Sequence, residues 1–251
     1  MNLELKNKVV LITGGTGGIG SRVVADYLLE GVVVACFIRS EVKMQSLLDL
    51  LNKEGISTDN LHAFNCNLLD YEDVKRATKE VVSKLNAIHI LINCAGFADE
   101  YPFAMLDVKK IDLMLDLNLK SPIYLSQAVL KTMYKQKEGC IINVSSVSSI
   151  KKGRGITVYA AAKAGLENFT RTLAIELGRK NIRVNCIRPG VISTTMSGPL
   201  LDRTKDILKT NTALERAGEP SEISSAILFM SSNKTASYMT GETITVDGGV
   251  Y

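Results

Sequence analysis

Short apolar runs alternate along this chain with longer segments in which apolar residues recur at helical spacing. The short runs are rich in β-branched residues and predict seven strands, at Lys8–Thr13, Val32–Ile38, Leu61–Cys66, His89–Asn93, Gly139–Ser145, Ile182–Arg188 and Thr243–Val246. The longer segments predict helices over residues 18–30, 41–54, 70–85, 107–137, 158–179 and 219–232. Ser40 and Pro220 stand where the second and the last of these helices should begin.

Regular alternation of strands and helices predicts parallel strands joined by helical crossovers, with helices on both faces of the sheet. Runs such as VVLIT, VVVACFI and IHILIN are almost wholly apolar, as expected of strands that are buried on both faces. We therefore predict one α/β domain, residues 1–251, with a doubly wound, seven-stranded parallel sheet of the Rossmann type. Residues 190–218 lack a strong pattern and follow a strand, which is a position typical of a substrate loop.

Composition narrows the classes of partner. The net charge of +4 comes from 30 basic and 26 acidic residues, and no basic block concentrates it, so we expect no nucleic acid partner. No apolar run reaches eighteen residues and the first residues lack a signal-peptide pattern, which predicts neither a membrane span nor secretion. Five scattered cysteines without a CxxC pair, and two histidines without ligand-like spacing, indicate a reducing cytoplasm and no metal site.

A glycine-rich turn, Thr13-Gly14-Gly15-Thr16-Gly17-Gly18-Ile19-Gly20, joins the first predicted strand to the first predicted helix. Glycines are required where a sharp turn needs positive φ and where the backbone approaches a pyrophosphate closely. The N-terminus of the following helix offers free N–H groups to phosphates. The position of the turn favours a dinucleotide site over a flexible loop without a ligand.

The end of the second strand bears on the choice between NAD and NADP. An acidic residue there would hydrogen-bond the ribose 2′-hydroxyl and repel a 2′-phosphate, but this chain has Arg39-Ser40. A guanidinium binds a phosphate through two parallel bonds, and the serine adds a donor. This pattern favours NADP (NADPH), with NAD the lesser alternative, although an exposed arginine without a role also fits. The glycine turn itself has Thr16-Gly17 and no basic residue.

Lys163 follows Tyr159 at the i+4 position of a predicted helix, so the two side chains project from one face. A phenol of ordinary pKa, about 10, is a poor proton donor at neutral pH. A cation about 5 Å away, at an effective dielectric constant near 20, contributes roughly 3 kcal/mol, enough to lower that pKa by about 2 units. A YxxxK spacing alone also occurs by chance on many helices.

Taken together, these motifs resemble the short-chain dehydrogenase/reductase family over almost the whole chain. The resemblance is carried by the TGxxxGxG turn, by LINCAG at 91–96, by Asn143-Val144-Ser145-Ser146, by Tyr159-Ala160-Ala161-Ala162-Lys163 and by the Pro189-Gly190 turn. It implies hydride transfer between a nicotinamide and a carbonyl or alcohol carbon. Ser146 would hold the substrate oxygen, Tyr159 would exchange its proton, Lys163 would bind the ribose and tune Tyr159, and Asn118 would hold a water for proton relay.

The same resemblance, with the features above, gives a set of cofactor-binding positions that surround the expected cleft: Gly14, Thr16, Gly18, Ile19, Gly20, Arg39, Ser40, Asn67, Asn93, Ala95, Gly96, Tyr159, Lys163, Pro189, Gly190, Ile192 and Thr194. Cys94 stands where the family has a second Asn, a departure that concerns packing.

The segment from Tyr238 to Gly249 resembles the C-terminus of 3-oxoacyl-acyl-carrier-protein reductases, which implies a 3-oxoacyl thioester as substrate. In those enzymes basic residues near the site mouth dock the acidic carrier protein. The resemblance offers Lys135, Lys137, Arg179 and Lys180 as counterparts at the site mouth here, although a solvated basic surface explains any one of them more readily. A sugar, steroid or secondary metabolite remains an alternative substrate, and a non-catalytic NADP-binding regulator is an alternative of another class. Family analogy alone implies a homotetramer or homodimer.

Overall fold

The carboxyl ends of seven parallel strands form the edge on which the candidate site lies. In this computed structural model, which describes residues 3–151, 153–194 and 211–250, these strands form one sheet in the order β3-β2-β1-β4-β5-β6-β7. Their bounds are β1 Val9–Thr13, β2 Val33–Ile38, β3 Leu61–Asn65, β4 Ile90–Asn93, β5 Gly139–Val144, β6 Ile182–Pro189 and β7 Thr243–Val246. The predicted doubly wound parallel sheet is confirmed, and the predicted strand bounds differ by at most one residue at each end.

Helices cover both faces of this sheet. Those of the described residues are α1 Gly18–Leu29, α2 Glu41–Lys53, α3 Tyr71–Leu85, α4 Val108–Leu115, α5 Ser121–Gln136, α6 Thr157–Leu177, α7 Pro220–Ser231 and α8 Asn233–Ala236. One core cluster joins the sheet to α1, α2 and α7, and a second joins its other face to α3, α5 and α6. Among the helices so described, none has the length and apolar character that crossing a membrane requires.

The predicted helix 107–137 is continuous, but it contains a wide π-helical turn at Asp116–Lys120 between α4 and α5. The Ser121 N–H bonds to the Asp116 carbonyl five residues earlier. Pro122 follows and has no N–H to give the carbonyl four residues before it, so the regular ladder cannot continue here. The turn carries Asn118, which is fully buried.

The chain reverses its direction of winding between β1 and β4, which are neighbours in the sheet although they are not consecutive. Crossovers leave in opposite directions from this point, and a crevice opens above the carboxyl ends of the two strands. The glycine-rich turn follows β1 and the segment that begins with Asn93 follows β4, so both border this crevice.

At the opposite edge of the sheet, His89 joins the starts of two strands. Its Nδ1 accepts the Val9 N–H at 2.9 Å, and its Nε2 lies 3.7 Å from the Glu138 carboxylate, which also binds Lys8 at 2.6 Å. Burial, and secondarily Lys8, lowers the pKa of His89, while Glu138 opposes the shift. The folded protein therefore favours the neutral imidazole, which can accept the Val9 bond.

This arrangement predicts a stability that declines as the pH falls from 8 to 5. The unfolded chain binds a proton on residue 89 at a higher pH than the folded chain does. As the pH falls through this range, the free energy of unfolding therefore decreases, by at most about 1.4 kcal/mol per pH unit. His89→Gln keeps an acceptor for Val9 and should flatten the decline measured by urea unfolding. His62, whose pKa is also lowered, is present in both proteins. Parallel curves for the two proteins would contradict the prediction.

Candidate active site

The glycine turn packs closely against two other segments of the predicted site. A Cβ at Gly14, where φ is +70°, would lie 2.7 Å from the Ala95 backbone nitrogen, and one at Gly18 would lie 2.4 Å from the Thr194 side chain. A Cβ at Gly20 would meet the carbonyl of Gly14 at 2.0 Å. Only glycine fits at these three positions, so their side-chain-free surfaces fix the shape of the crevice.

The N-terminus of α1 is open to an anion. Gly17 caps the helix without a side-chain hydrogen bond, and no acidic residue lies in its first turn. Backbone N–H groups and the positive end of the helix dipole therefore face the crevice without competition from a carboxylate of that turn. The geometry fits the pyrophosphate of a dinucleotide.

The segment after β4 connects this turn to the interior of the site. The Ala95 N–H bonds to the Thr13 hydroxyl at 3.2 Å, and the Asn93 amide donates to Asn143 Oδ1 at 2.8 Å. A Cβ at Gly96 would lie 2.9 Å from Asn118 Oδ1 and 3.5 Å from Lys163 Nζ. The sequence-predicted positions 93, 95 and 96 therefore lie between the glycine turn and the predicted catalytic side chains.

Tyr159 and Lys163 project from the first two turns of α6 into this crevice. Lys163 Nζ lies 5.7 Å from the centroid of the Tyr159 ring and donates to the Val144 carbonyl at 2.8 Å. Ser146 is close enough to Tyr159 to influence the pKa of the phenol. The structure thus brings together Ser146, Tyr159 and Lys163, which the sequence places on a strand end and a helix.

The electrostatics of the pair differ from the sequence-based expectation. Burial raises the pKa of Tyr159, and the nearby Ser146 hydroxyl only partly opposes that rise. Burial also lowers the pKa of Lys163 to about 8, so the ammonium remains mostly protonated at pH 7. The protein groups alone therefore do not lower the phenol pKa as expected, because desolvation exceeds the favourable contacts.

The side chain of Asn118 forms hydrogen bonds with backbone groups. Its Nδ2 donates to the carbonyls of Phe97, at 2.7 Å, and Met114, at 2.9 Å, while its Oδ1 accepts the Phe97 N–H at 3.2 Å. Both amide hydrogens are used, so the side chain fastens the segment after Gly96 to the π-helical turn. The water-holding role implied by family resemblance stays a prediction.

Ser145 and Ser146 have different environments. The Ser145 hydroxyl is buried and donates to Glu167 Oε1 at 2.7 Å, whereas the Ser146 hydroxyl donates to Ser148 Oγ at 3.1 Å and accepts the Ser148 N–H at 3.2 Å. Sequence reasoning chose Ser146 and missed Glu167. One signal was available, because Tyr159, Lys163 and Glu167 form a stripe at intervals of four residues on one helix.

The turn after β6 lies beside the same crevice. The Gly190 N–H bonds to the Val246 carbonyl at 2.9 Å, and a Cβ there would lie 2.7 Å from the Cα of Asp247. Ile192 is buried and forms a bridge with Gly218. Thr194 is the residue that Gly18 contacts. Of the predicted loop 190–218, residues 195–210 lie outside the described residues.

The residues predicted to contact the adenosine end lie at the carboxyl ends of β2 and β3. Arg39 is exposed and takes part in no ion pair between side chains in the described ranges. The Ser40 hydroxyl caps α2 by accepting the Lys43 N–H at 3.4 Å, which confirms the predicted helix start. Asn67 is exposed, and its Oδ1 accepts the Leu69 N–H at 3.2 Å.

The basic residues considered for carrier docking lie at the other end of the molecule. Lys135 and Lys137 end α5, while Arg179 and Lys180 follow α6, so all four stand just before the starts of β5 and β6. The expectation that they border the site mouth of their own chain is wrong, because helices that return along a parallel sheet end at its amino edge.

Known proteins show the same architecture. A family described as Enoyl-(Acyl carrier protein) reductase matches residues 14–251. The chain is 34% identical over 248 residues to the 3-oxoacyl-(acyl-carrier-protein) reductase FabG of Thermotoga maritima, with 99% of both chains covered. It is 38% identical over 254 residues to the enzyme of the same name from Vibrio harveyi, which covers 100% of this chain and 99% of that protein.

Two solved structures illustrate the range of similar proteins. The short-chain dehydrogenase/reductase SDR:Glucose/ribitol dehydrogenase from Brucella melitensis has a TM-score of 0.92 and 29% identity, with 100% of this chain and 99% of that chain covered. A gluconate 5-dehydrogenase from Burkholderia cenocepacia, in complex with NADP and tartrate, has a TM-score of 0.91 and 27% identity, with 98% and 96% covered. The chain therefore belongs to the short-chain dehydrogenase/reductase family and is an oxidoreductase.

Proposed function

We propose that this chain uses NADPH to reduce the ketone of a 3-oxoacyl thioester to an alcohol. The observation that carries the proposal is the convergence of Ser146, Tyr159 and Lys163 beside Gly96, at the carboxyl edge of the sheet. The relatives named 3-oxoacyl-(acyl-carrier-protein) reductase FabG match over the full length of the chain and support the choice of substrate.

A reduced nicotinamide, when bound, would supply the hydride for the ketone carbon. The Ser146 hydroxyl holds the ketone oxygen, and the Tyr159 phenol donates its proton to that oxygen as the alcohol forms. Lys163, whose Nζ lies 5.7 Å from the centroid of the Tyr159 ring, would attract the phenolate that remains. Solvent protons then restore the phenol.

The chain's own groups account for the binding of NADPH. The open N-terminus of α1, which follows the glycine turn, would hold the phosphates. Arg39 stands at the end of β2, exposed and unpaired within the described ranges, where a ribose 2′-phosphate would accept its two parallel bonds. The gluconate 5-dehydrogenase structure contains NADP, which is consistent with this assignment.

A second candidate substrate is a sugar or sugar acid. The gluconate 5-dehydrogenase from Burkholderia cenocepacia and the SDR:Glucose/ribitol dehydrogenase from Brucella melitensis have folds similar to that of this chain, with TM-scores of 0.91 and 0.92, which favours this candidate.

The oligomeric state of the protein affects where an acyl carrier protein could dock. We infer a homotetramer or homodimer from family analogy. Because Lys137 and Lys180 lie at the amino edge of their own sheet, they can meet a carrier bound at a cleft only if a second copy brings them there. Docking of a carrier through these two lysines would therefore require the assembled protein.

Tyr159→Phe should lower kcat by roughly 10²- to 10⁴-fold, because the phenol is the proton donor. The dissociation constant for NADPH, followed by nicotinamide fluorescence, should change by less than about threefold, since the ring remains. Tyr134→Phe is the matched control, an exposed tyrosine on α5, and should leave both quantities unchanged. Retained turnover in the Tyr159 variant would exclude the proposed donor.

Arg39→Asp should reduce the preference for NADPH over NADH by roughly 10- to 100-fold, since it removes a bidentate phosphate donor and adds a repelling charge. The comparison uses kcat/KM for each cofactor with one ketone. Lys53→Asp makes the same change of charge at the far end of α2 and should leave the preference as it is. If the two variants behave alike, Arg39 does not select the cofactor.

Substrate class is tested by following NADPH consumption with acetoacetyl thioesters, diketones and ketosugar acids at equal concentrations. The proposal expects the highest kcat/KM with the thioester. Turnover confined to the ketosugar acids would overturn the thioester assignment in favour of the second candidate, while Tyr159→Phe would still abolish it.

A further inference from the structure

A buried ion pair is hydrogen-bonded to the segment that contains the predicted catalytic serine, Ser146. Glu167 of α6 is 3% exposed, and its Oε2 lies 2.5 Å from the guanidinium of Arg188, the residue before the Pro189-Gly190 turn. Its Oε1 accepts a second bond from Arg188 Nε at 2.9 Å. The contact is bidentate, which fixes the relative orientation of α6 and the end of β6.

The same carboxylate holds the segment that contains Ser146. Glu167 Oε1 accepts the hydroxyls of Ser145, at 2.7 Å, and Ser149, at 2.5 Å. Arg188 Nε also bonds to the Ser149 hydroxyl at 3.1 Å. Ser146 thus lies between two serines that are both fastened to one anionic group.

The pair reaches the other parts of the site as well. Glu167 follows Lys163 by one turn of α6, and the Ser145 hydroxyl also bonds to the Lys163 carbonyl at 3.4 Å. Arg188 donates through its remaining terminal nitrogen to Thr245 of β7 at 2.9 Å. Three segments that carry predicted site residues, the end of β5, the first half of α6 and the end of β6, therefore meet at one ion pair.

Glu167 remains ionised in this position. Burial would raise the pKa of its carboxyl, but hydrogen bonds from Arg188, Ser149 and Ser145 outweigh burial and hold that pKa below the ordinary value. A buried ion pair adds little net stability compared with well-packed apolar residues of the same volume. What apolar residues could not supply is the set of directional bonds to the serines.

We propose that Glu167 and Arg188 are positioning residues, which hold Ser146 in reach of the Tyr159 hydroxyl by fixing both ends of the 145–149 segment. The proposal rests on the proposed function, in which Ser146 and Tyr159 share the ketone oxygen. Neither Glu167 nor Arg188 touches that oxygen. Their effect passes through Ser145 and Ser149.

Three variants separate positioning from stability. Glu167→Gln keeps the shape of the side chain but removes the charge. The double variant Glu167→Leu with Arg188→Met replaces the pair with apolar residues of similar size, and it should regain stability that the single variant loses. Ser149→Ala leaves the ion pair in place and releases one end of the segment. Glu72→Gln breaks an exposed pair with Lys75 and is the control.

The first readout is kcat for ketone reduction per NADPH-binding site, which corrects for unfolded protein. We expect Glu167→Gln and the double variant to lose roughly 10- to 100-fold, Ser149→Ala to lose less, and Glu72→Gln to lose nothing. The dissociation constant for NADPH should change by less than about threefold throughout. If the double variant regains kcat together with its urea-unfolding stability, the pair is only structural and the proposal is overturned.

The second readout is hydrogen exchange of the backbone amides of residues 145–150, which needs no turnover. Exchange should be at least about tenfold faster in Glu167→Gln and Ser149→Ala than in the unaltered protein, and unchanged in Glu72→Gln. Unchanged exchange in the first two variants would overturn the proposal even if the double variant fails to fold. An unaltered protein that reduces no ketone would refute the proposed function, while this measurement would still decide whether the pair holds the segment.

Discussion

The site depends on a buried ammonium. Lys163 is 4% exposed, and its Nζ donates a hydrogen bond to the main-chain carbonyl of Val144, the last residue of β5. Burial makes that charge costly, as the lowered pKa shows, so the ammonium depends on its bond to the Val144 carbonyl. This bond fixes the position of α6 relative to the end of β5. Tyr159, one turn earlier, is thereby set over the crevice, and Ser146, two residues after Val144, faces it.

The close backbone contacts at the glycines and the buried polar contacts also shape the crevice. Gly14 and Gly18 let the first turn touch Ala95 and Thr194, and Gly96 leaves room for Asn118 and Lys163. Each contact joins a segment that follows one strand to a segment that follows another. The crevice is therefore shaped by backbone on the dinucleotide side and by α6 on the substrate side, which suits a fold that supplies position and leaves redox chemistry to a cofactor.

The strand and helix pattern was readable from the sequence because apolar periodicity reports burial directly. Local features were readable where one residue controls them, as with the cap at Ser40. The wide turn at Asp116–Lys120 was missed, since it arises from Pro122 and from bonds between Asn118 and a distant segment. The pKa of Tyr159 was expected in the wrong direction because a spacing of four residues gives proximity and says nothing of desolvation. The basic residues at the ends of α5 and α6 were expected near the site mouth, but they lie at the opposite edge of the sheet. Their position depends on the direction in which each helix returns along the sheet, which these residues themselves do not indicate.

The wide turn between α4 and α5 has a consequence for the register of the long helix. A π-helical turn contains one residue more than the α-helical turn it replaces, and one residue corresponds to a rotation of about 100° about the helix axis. The extra residue therefore sets the rotation of α5 at which Leu125, Val129 and Met133 pack against the sheet. A one-residue deletion within 116–120 would let the helix close into regular geometry while turning its apolar stripe toward water, so the segment tolerates substitution more readily than any change of length.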